Sequence, residues 1–133
     1  MKHNSQIDYW IDLADYDIDV ARLMLKGGKF LYVGFMCHQV IEKMLKALYV
    51  AVTQDRPPLT HNLTVLSRKS NIYNKLSSEQ KDLLDTLEPL NIEARYPTYK
   101  EQLMQSLTDD RTASILHRTE DLMIWIKEQL LKK

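Results

Sequence analysis

Glycine and proline are scarce in this sequence, with three and four copies among 133 residues. Antiparallel sheets need many more turn residues, so the scarcity argues against an all-β fold. The single cysteine, Cys37, has no second cysteine with which to form an internal disulfide. Because Cys37 lies in an apolar helical stretch, we interpret it as a small buried hydrophobic residue and not as a reactive thiol.

Net charge is also absent, because 18 basic residues balance 18 acidic ones. A neutral chain lacks the field that drives non-specific nucleic-acid binding, so any RNA or DNA contact has to come from a local patch. No apolar run approaches the ~18 residues of a membrane span, and the N-terminus has no apolar signal-peptide core. We therefore expect a cytoplasmic protein without a membrane segment.

Metal and phosphate motifs are missing as well. The four histidines are scattered, and neither a metal-ligand spacing nor a glycine-rich phosphate loop occurs. We predict no metal site and no cofactor.

Helical periodicity dominates what is present, and it predicts one all-α domain over residues 1–133. Four long helices and one additional short helix make a helical bundle. Their expected bounds are Ser5 to Lys26, Phe30 to Thr53, His61 to Lys69 with Thr60 as N-cap, Ser78 to about Ala94 with a kink near Pro89, and a last helix from Thr108. A Gly27-Gly28 stop and a Ser77/Gln80 capping box support two of these bounds.

The first two helices each carry polar residues that interrupt an apolar pattern. Asp17 lies inside the apolar face of the first helix, where a carboxylate needs a partner. That face is expected to hold Trp10, Leu13, Ala14, Val20, Ala21 and Met24. The second helix is apolar except for a stripe roughly 100° wide. This polar stripe consists of Gln39, Glu42, Lys43 and Lys46, with His38 on its edge. A helix of this kind is either central to a bundle or buried by a partner chain.

Four short motifs occur in a fixed order along the chain. They are Ala14-x-x-Asp17, Gln39-x-x-Glu42-Lys43-x-x-Lys46, Thr60-His61-x-Leu63 and Ala94-Arg95-Tyr96-Pro97. Taken together they resemble the HEPN domain family (higher eukaryotes and prokaryotes nucleotide-binding). The resemblance implies an up-and-down four- to five-helix bundle, usually a homodimer. It also implies a nucleotidyltransferase partner, in a toxin–antitoxin or related defence system.

A subset of that family consists of metal-independent ribonucleases with an Arg-x(4–6)-His motif, which gives the alternative function. Arginine would polarise phosphate and histidine would transfer a proton to or from the ribose. Arg111 and His117 match the spacing, but an ideal helix separates them by about 120°. Arg56 and His61 match it across a Pro-Pro turn, and Arg95 has no histidine in its window.

The polar residues therefore have two interpretations. In one, Lys43, Lys46 and Arg95 contact the phosphate of a nucleotide or RNA, and Asp17 and Glu42 orient them. In the other, a buried network of Asp17, Gln39, Lys43, His61 and Arg95 fixes the register of the helices without a ligand. Tyr96 and Tyr99 are candidates for stacking a base, although packing explains either of them as well.

Overall fold

A computed structural model describes residues 4–92 and 97–133 of the chain. Within those residues the fold consists of six α-helices and two 3-10 turns, with no strand. The helices are α1 (Ser5–Lys26), α2 (Phe30–Thr53), α3 (Leu63–Lys69), α4 (Ser78–Leu87), α5 (Pro97–Ser106) and α6 (Asp109–Leu131), and the turns are Tyr73–Lys75 and Glu88–Leu90. The predicted helical bundle is thus confirmed.

Helices α1 and α2 form an antiparallel hairpin whose ends are set by local signals. The Asn4 side chain accepts the Gln6 N–H at 2.8 Å and so begins α1. Gly28 has a φ of 73°, a left-handed conformation that favours glycine, and ends the turn after α1 as predicted. The bounds of both helices agree with those expected from the sequence.

Helix α2 is the central element, because α1, α3 and α6 pack around it. Its side chains at Val40, Ile41, Met44 and Leu48 have no solvent exposure. Gly34 allows a close approach, since a Cβ there would lie 3.0 Å from Leu90 Cδ1. Most of the apolar surface of α2 is therefore buried by its own chain, although Tyr32 is 52% exposed.

The core-facing side of α1 differs from the expectation at two positions. Ala14, Ile18 and Ala21 are buried against the bundle, whereas Leu13 and Val20 are only half-buried. Leu13 and Val20 lie on the outer side of the helix, because the apolar pattern of α1 is wide enough to cover two faces.

Helix α3 starts later than predicted. Asn62, not Thr60, is its N-cap, and the Asn62 side chain accepts the Val65 N–H at 2.9 Å. Thr60 Oγ1 instead accepts the Asn62 N–H at 3.1 Å and stabilises a preceding turn, which a threonine hydroxyl does as readily as it caps a helix.

Helix α4 starts at its predicted capping box but ends earlier than expected. It stops at Leu87 and passes into the 3-10 turn Glu88–Leu90, because Pro89 has no N–H to donate to the helix ladder. Helix α5 was not predicted, although Pro97 at its first position is a recognised start signal. Thr108 caps α6 as predicted.

Two ion pairs connect α1 with α6 at the surface. Lys127 Nζ donates to Asp15 at 2.7 Å, and Arg22 Nε donates to Glu120 at 2.8 Å. The hydrogen bond that Arg22 donates to Glu120 raises the pKa of the guanidinium. Among the helices described, none combines the length and apolar character that crossing a membrane requires.

Candidate functional site

Glu42 is the centre of a buried charged network between α2 and the loop before α3. Its side chain is 5% exposed, and its Oε2 accepts a hydrogen bond from Lys46 Nζ at 2.9 Å. His61 Nδ1 lies 3.1 and 3.0 Å from the two carboxylate oxygens. The predicted Glu42–Lys46 pair is therefore present, and it gains a third member from the loop.

Asp17 and Lys43 make a second pair that joins α1 to α2. Lys43 Nζ donates to Asp17 Oδ2, and both side chains are largely buried. This is the partner that a carboxylate inside the apolar face of α1 requires. Because a pair joining two helices holds only in one axial alignment, it fixes the register of α1 against α2.

Lys46 also contacts the aromatic side chain of Trp10. Its Nζ lies 5.3 Å from the centre of the Trp10 ring, within the range of a cation–π contact. The ammonium thus lies between a carboxylate and an indole face. Trp10 belongs to this site although it is 36 residues from Lys46 in the sequence, and no local spacing could have predicted the contact.

The charges of the two pairs balance. Two lysines face two carboxylates, so a phosphate that binds to either lysine has to compete with a carboxylate already in place. His61 is the most exposed member of the network, with its side chain 55% exposed. The arrangement is well suited to holding the helices and the loop together.

The residues predicted for the polar cluster are Asp17, Gln39, Glu42, Lys43, Lys46, His61 and Arg95. The structure places five of these seven in two separate contacts on α2, Lys43 with Asp17 and Glu42 with Lys46 and His61. Gln39 lies one turn before Lys43 on α2, partly exposed, and within the residues described its side chain bonds to none of the five. Arg95 and Tyr96 lie outside the described residues. His38, predicted at the edge of the stripe, is fully buried with its Nδ1 3.7 Å from Glu42 Oε1.

Arg111 and His117 both lie on α6 but contact different residues, Ser106 at the end of α5 and Asp121 on α6. The Arg111 guanidinium donates to the Ser106 carbonyl at 3.3 Å and to its hydroxyl at 3.1 Å. The His117 side chain is exposed, and its Nε2 lies 3.5 Å from Asp121 Oδ2. Six residues of helix separate the two by about 9 Å along the axis and about 120° around it. Within one chain, the two side chains do not converge on a common point.

Cys37 is fully buried in α2, as predicted. Burial raises the pKa of its thiol to about 12, and the neighbouring Thr119 opposes this only in part. Across the described part of the chain, no group of three His, Cys, Asp or Glu side chains is placed to hold a metal ion.

Comparison with known proteins identifies the family. The sequence model of the HEPN domain matches residues 7–129. The crystal structure of an archaeal HEPN homologue superposes with a TM-score of 0.64 at 20% sequence identity, covering 98% of this chain and 99% of that one. At this identity the likeness concerns the fold alone. No curated protein matches the sequence significantly. Since the family model spans nearly the whole chain, the protein belongs to the HEPN domain family.

Proposed function

We propose that this chain is a HEPN-type interaction module that forms a homodimer, binds a nucleotide, and acts with a nucleotidyltransferase partner in a toxin–antitoxin or defence-like system. One observation carries the proposal. Helix α1 has an apolar stripe on its outer side, and that stripe is more typical of a protein interface than of a free surface.

The outer α1 stripe consists of Leu13, Tyr16, Val20 and Leu23. Tyr16 is 71% exposed and Leu23 is 62% exposed, while Leu13 and Val20 are half-buried. Their three-four-three spacing keeps all four within about 80° of the helix surface. This is the spacing by which one helix packs along another in a coiled coil.

A second copy of the chain is the occupant that fits this stripe best. An apolar stripe with coiled-coil spacing is self-complementary, and a two-fold axis brings the same residues together from both copies. The chain is neutral overall, so two copies approach without net repulsion. The basis for the dimer is thus α1 and not α2, whose apolar surface is mostly buried within the chain.

Light scattering coupled to size exclusion tests the dimer. We expect a species of twice 15.7 kDa at micromolar concentration. Tyr16→Arg places a charge in the middle of the outer α1 stripe and should give the monomer mass. Leu131→Arg is the matched control, because Leu131 is 67% exposed at the far end of α6. A monomer at every micromolar concentration, or a dimer unaffected by Tyr16→Arg, refutes this part of the proposal.

The nucleotide part of the proposal concerns the polar cluster around Lys43 and Lys46. The Lys43 side chain is partly exposed, so a phosphate can contact the Lys43–Asp17 pair from the solvent at Lys43. Calorimetric titration with AMP and GMP tests it, with Lys43→Ala as the variant expected to weaken binding. Failure of both nucleotides to bind at millimolar concentration contradicts nucleotide binding and leaves the dimer untouched.

The nucleotidyltransferase partner is tested by sequencing the genes on either side and co-expressing this chain with any nucleotidyltransferase found there. We expect the two chains to purify as one complex, and separate elution contradicts a stable partnership.

The ribonuclease alternative requires Arg111 and His117 to reach one phosphate. Their different contacts within the chain do not favour it.

A further inference from the structure

A cleft lies between the start of α1, the last turns of α2 and the loop that follows α2. It has a volume of about 270 Å³. The residues that matter for its chemistry are Tyr9 and Trp10 from α1, Lys46 from α2, and Arg56, Pro57 and Leu59 from the loop. The cleft adjoins the polar cluster because Lys46 belongs to both.

One side of the cleft presents flat and apolar surfaces to solvent. The Tyr9 ring is 58% exposed and stands edge-on to Trp10, with ring centres 5.2 Å apart and planes at 78°. Leu59 is 89% exposed. An exposed aromatic ring and an exposed leucine in one cleft form a surface that gains from covering by another flat apolar group.

The cleft also carries an excess of positive charge. Lys46 and Arg56 are its ionisable residues, and no carboxylate lines it in the part of the chain described. Lys46 is already paired with Glu42, whereas Arg56 is exposed on the loop. A guanidinium offers two parallel donors to the oxygens of a phosphate, which a lysine ammonium cannot do.

We infer that this cleft binds a single nucleotide unit, with its base against Tyr9 and Leu59 and its phosphate on Arg56. The inference rests on the nucleotide binding proposed above, and it extends that site from Lys46 to Arg56. The volume of about 270 Å³ lies just below the usual range for ligand pockets, about 300–1,000 Å³, so the proposed ligand is one nucleotide unit and not a larger molecule.

Two sources can supply this chemistry, a free mononucleotide or the phosphorylated end of an RNA strand. Titrations of the full chain with AMP, GMP, adenosine and a 5′-phosphorylated RNA tetramer separate them. Whichever phosphorylated probe binds more tightly identifies the source. Adenosine reports on base stacking alone.

Arg56→Gln is the decisive variant. We expect it to weaken binding of the phosphorylated probes at least tenfold and to leave adenosine binding nearly unchanged. Leu59→Ser should weaken all probes, because it removes one of the two stacking surfaces. Both side chains are exposed, so neither substitution disturbs the core. Arg68→Gln is the matched control, since Arg68 is an exposed arginine that lies over Tyr73 elsewhere on the surface.

The outcomes separate the two proposals. Binding that is lost in Arg56→Gln but kept in Arg68→Gln supports the cleft. Nucleotide binding that survives Arg56→Gln and Leu59→Ser but depends on Lys43 overturns the cleft and leaves the proposed function in place. No binding of any phosphorylated probe overturns the cleft together with the nucleotide part of the proposed function.

Discussion

Replacing Glu42 with glutamine removes the negative charge at the centre of the buried network while keeping the shape of the side chain. In the native protein that carboxylate accepts from Lys46 at 2.9 Å and lies 3.0 Å from His61. The side chains of Glu42 and Lys46 are 5% and 8% exposed. After the substitution, the Lys46 ammonium remains buried without an opposite charge.

The expected loss follows from the stranded ammonium. Removing one partner of a buried ion pair costs about 3–5 kcal/mol. The contact of Lys46 with Trp10 is present before and after the substitution, so it does not change the difference. We therefore expect Glu42→Gln to lower the free energy of unfolding by about 3–5 kcal/mol, or the midpoint temperature by about 10–20 °C for a domain of this size.

Urea denaturation followed by circular dichroism at one fixed protein concentration measures this loss. A double-mutant cycle isolates the pair. Lys46→Met in the Glu42→Gln background removes the stranded charge, so the double variant should be more stable than the sum of the single losses by about 1.5–3 kcal/mol. The comparison pair is Lys127 and Asp15, both about half exposed. Lys127→Ala should cost less than about 1 kcal/mol.

Two results would refute this reasoning. One is a loss below about 1 kcal/mol for Glu42→Gln, comparable with that of an exposed pair. The other is strict additivity in the cycle, which would mean that Glu42 and Lys46 do not interact energetically.

Three further predictions concern the Cys37 thiol, the N-cap of α4 and the ribonuclease alternative. Burial raises the pKa of the Cys37 thiol to about 12, against 9.0 for an ordinary thiol. The thiol should therefore react with a disulfide reagent at pH 8 only as fast as the protein unfolds. Rapid labelling of the native protein contradicts the burial of Cys37. Because the unfolded chain loses this proton first, stability should fall as pH rises above about 9, by at most about 1.4 kcal/mol per pH unit. Cys37→Ala should remove that contribution to the slope. Ser77→Ala removes the hydroxyl that accepts the Gln80 N–H at 3.1 Å. It should lower the free energy of unfolding, measured by urea denaturation, by about 1 kcal/mol. An unchanged midpoint would mean that the cap contributes nothing to stability. Single-stranded RNA incubated with the protein and EDTA should stay intact, and cleavage that disappears in His117→Ala would instead establish the ribonuclease alternative.

The sequence by itself determined the parts of this fold whose cause is local. The ends of α1, the capping box of α4 and the N-cap of α6 were predicted because donor and acceptor lie within a few residues of each other. The pairing of Glu42 with Lys46 was predicted for the same reason, since one helical turn joins them. The ordered motifs also indicated the family.

Tertiary structure decided the interactions that join distant segments. The sequence required a partner for Asp17, but only the packing of α1 on α2 selected Lys43, 26 residues away. Packing likewise separated the inner face of α1 from the outer α1 stripe, which periodicity had merged at Leu13 and Val20. It also placed Trp10 and Arg56 around Lys46, a grouping that no spacing indicates. A helix specifies which residues share its own face, whereas the neighbour that each face meets depends on how the whole chain buries its apolar surface.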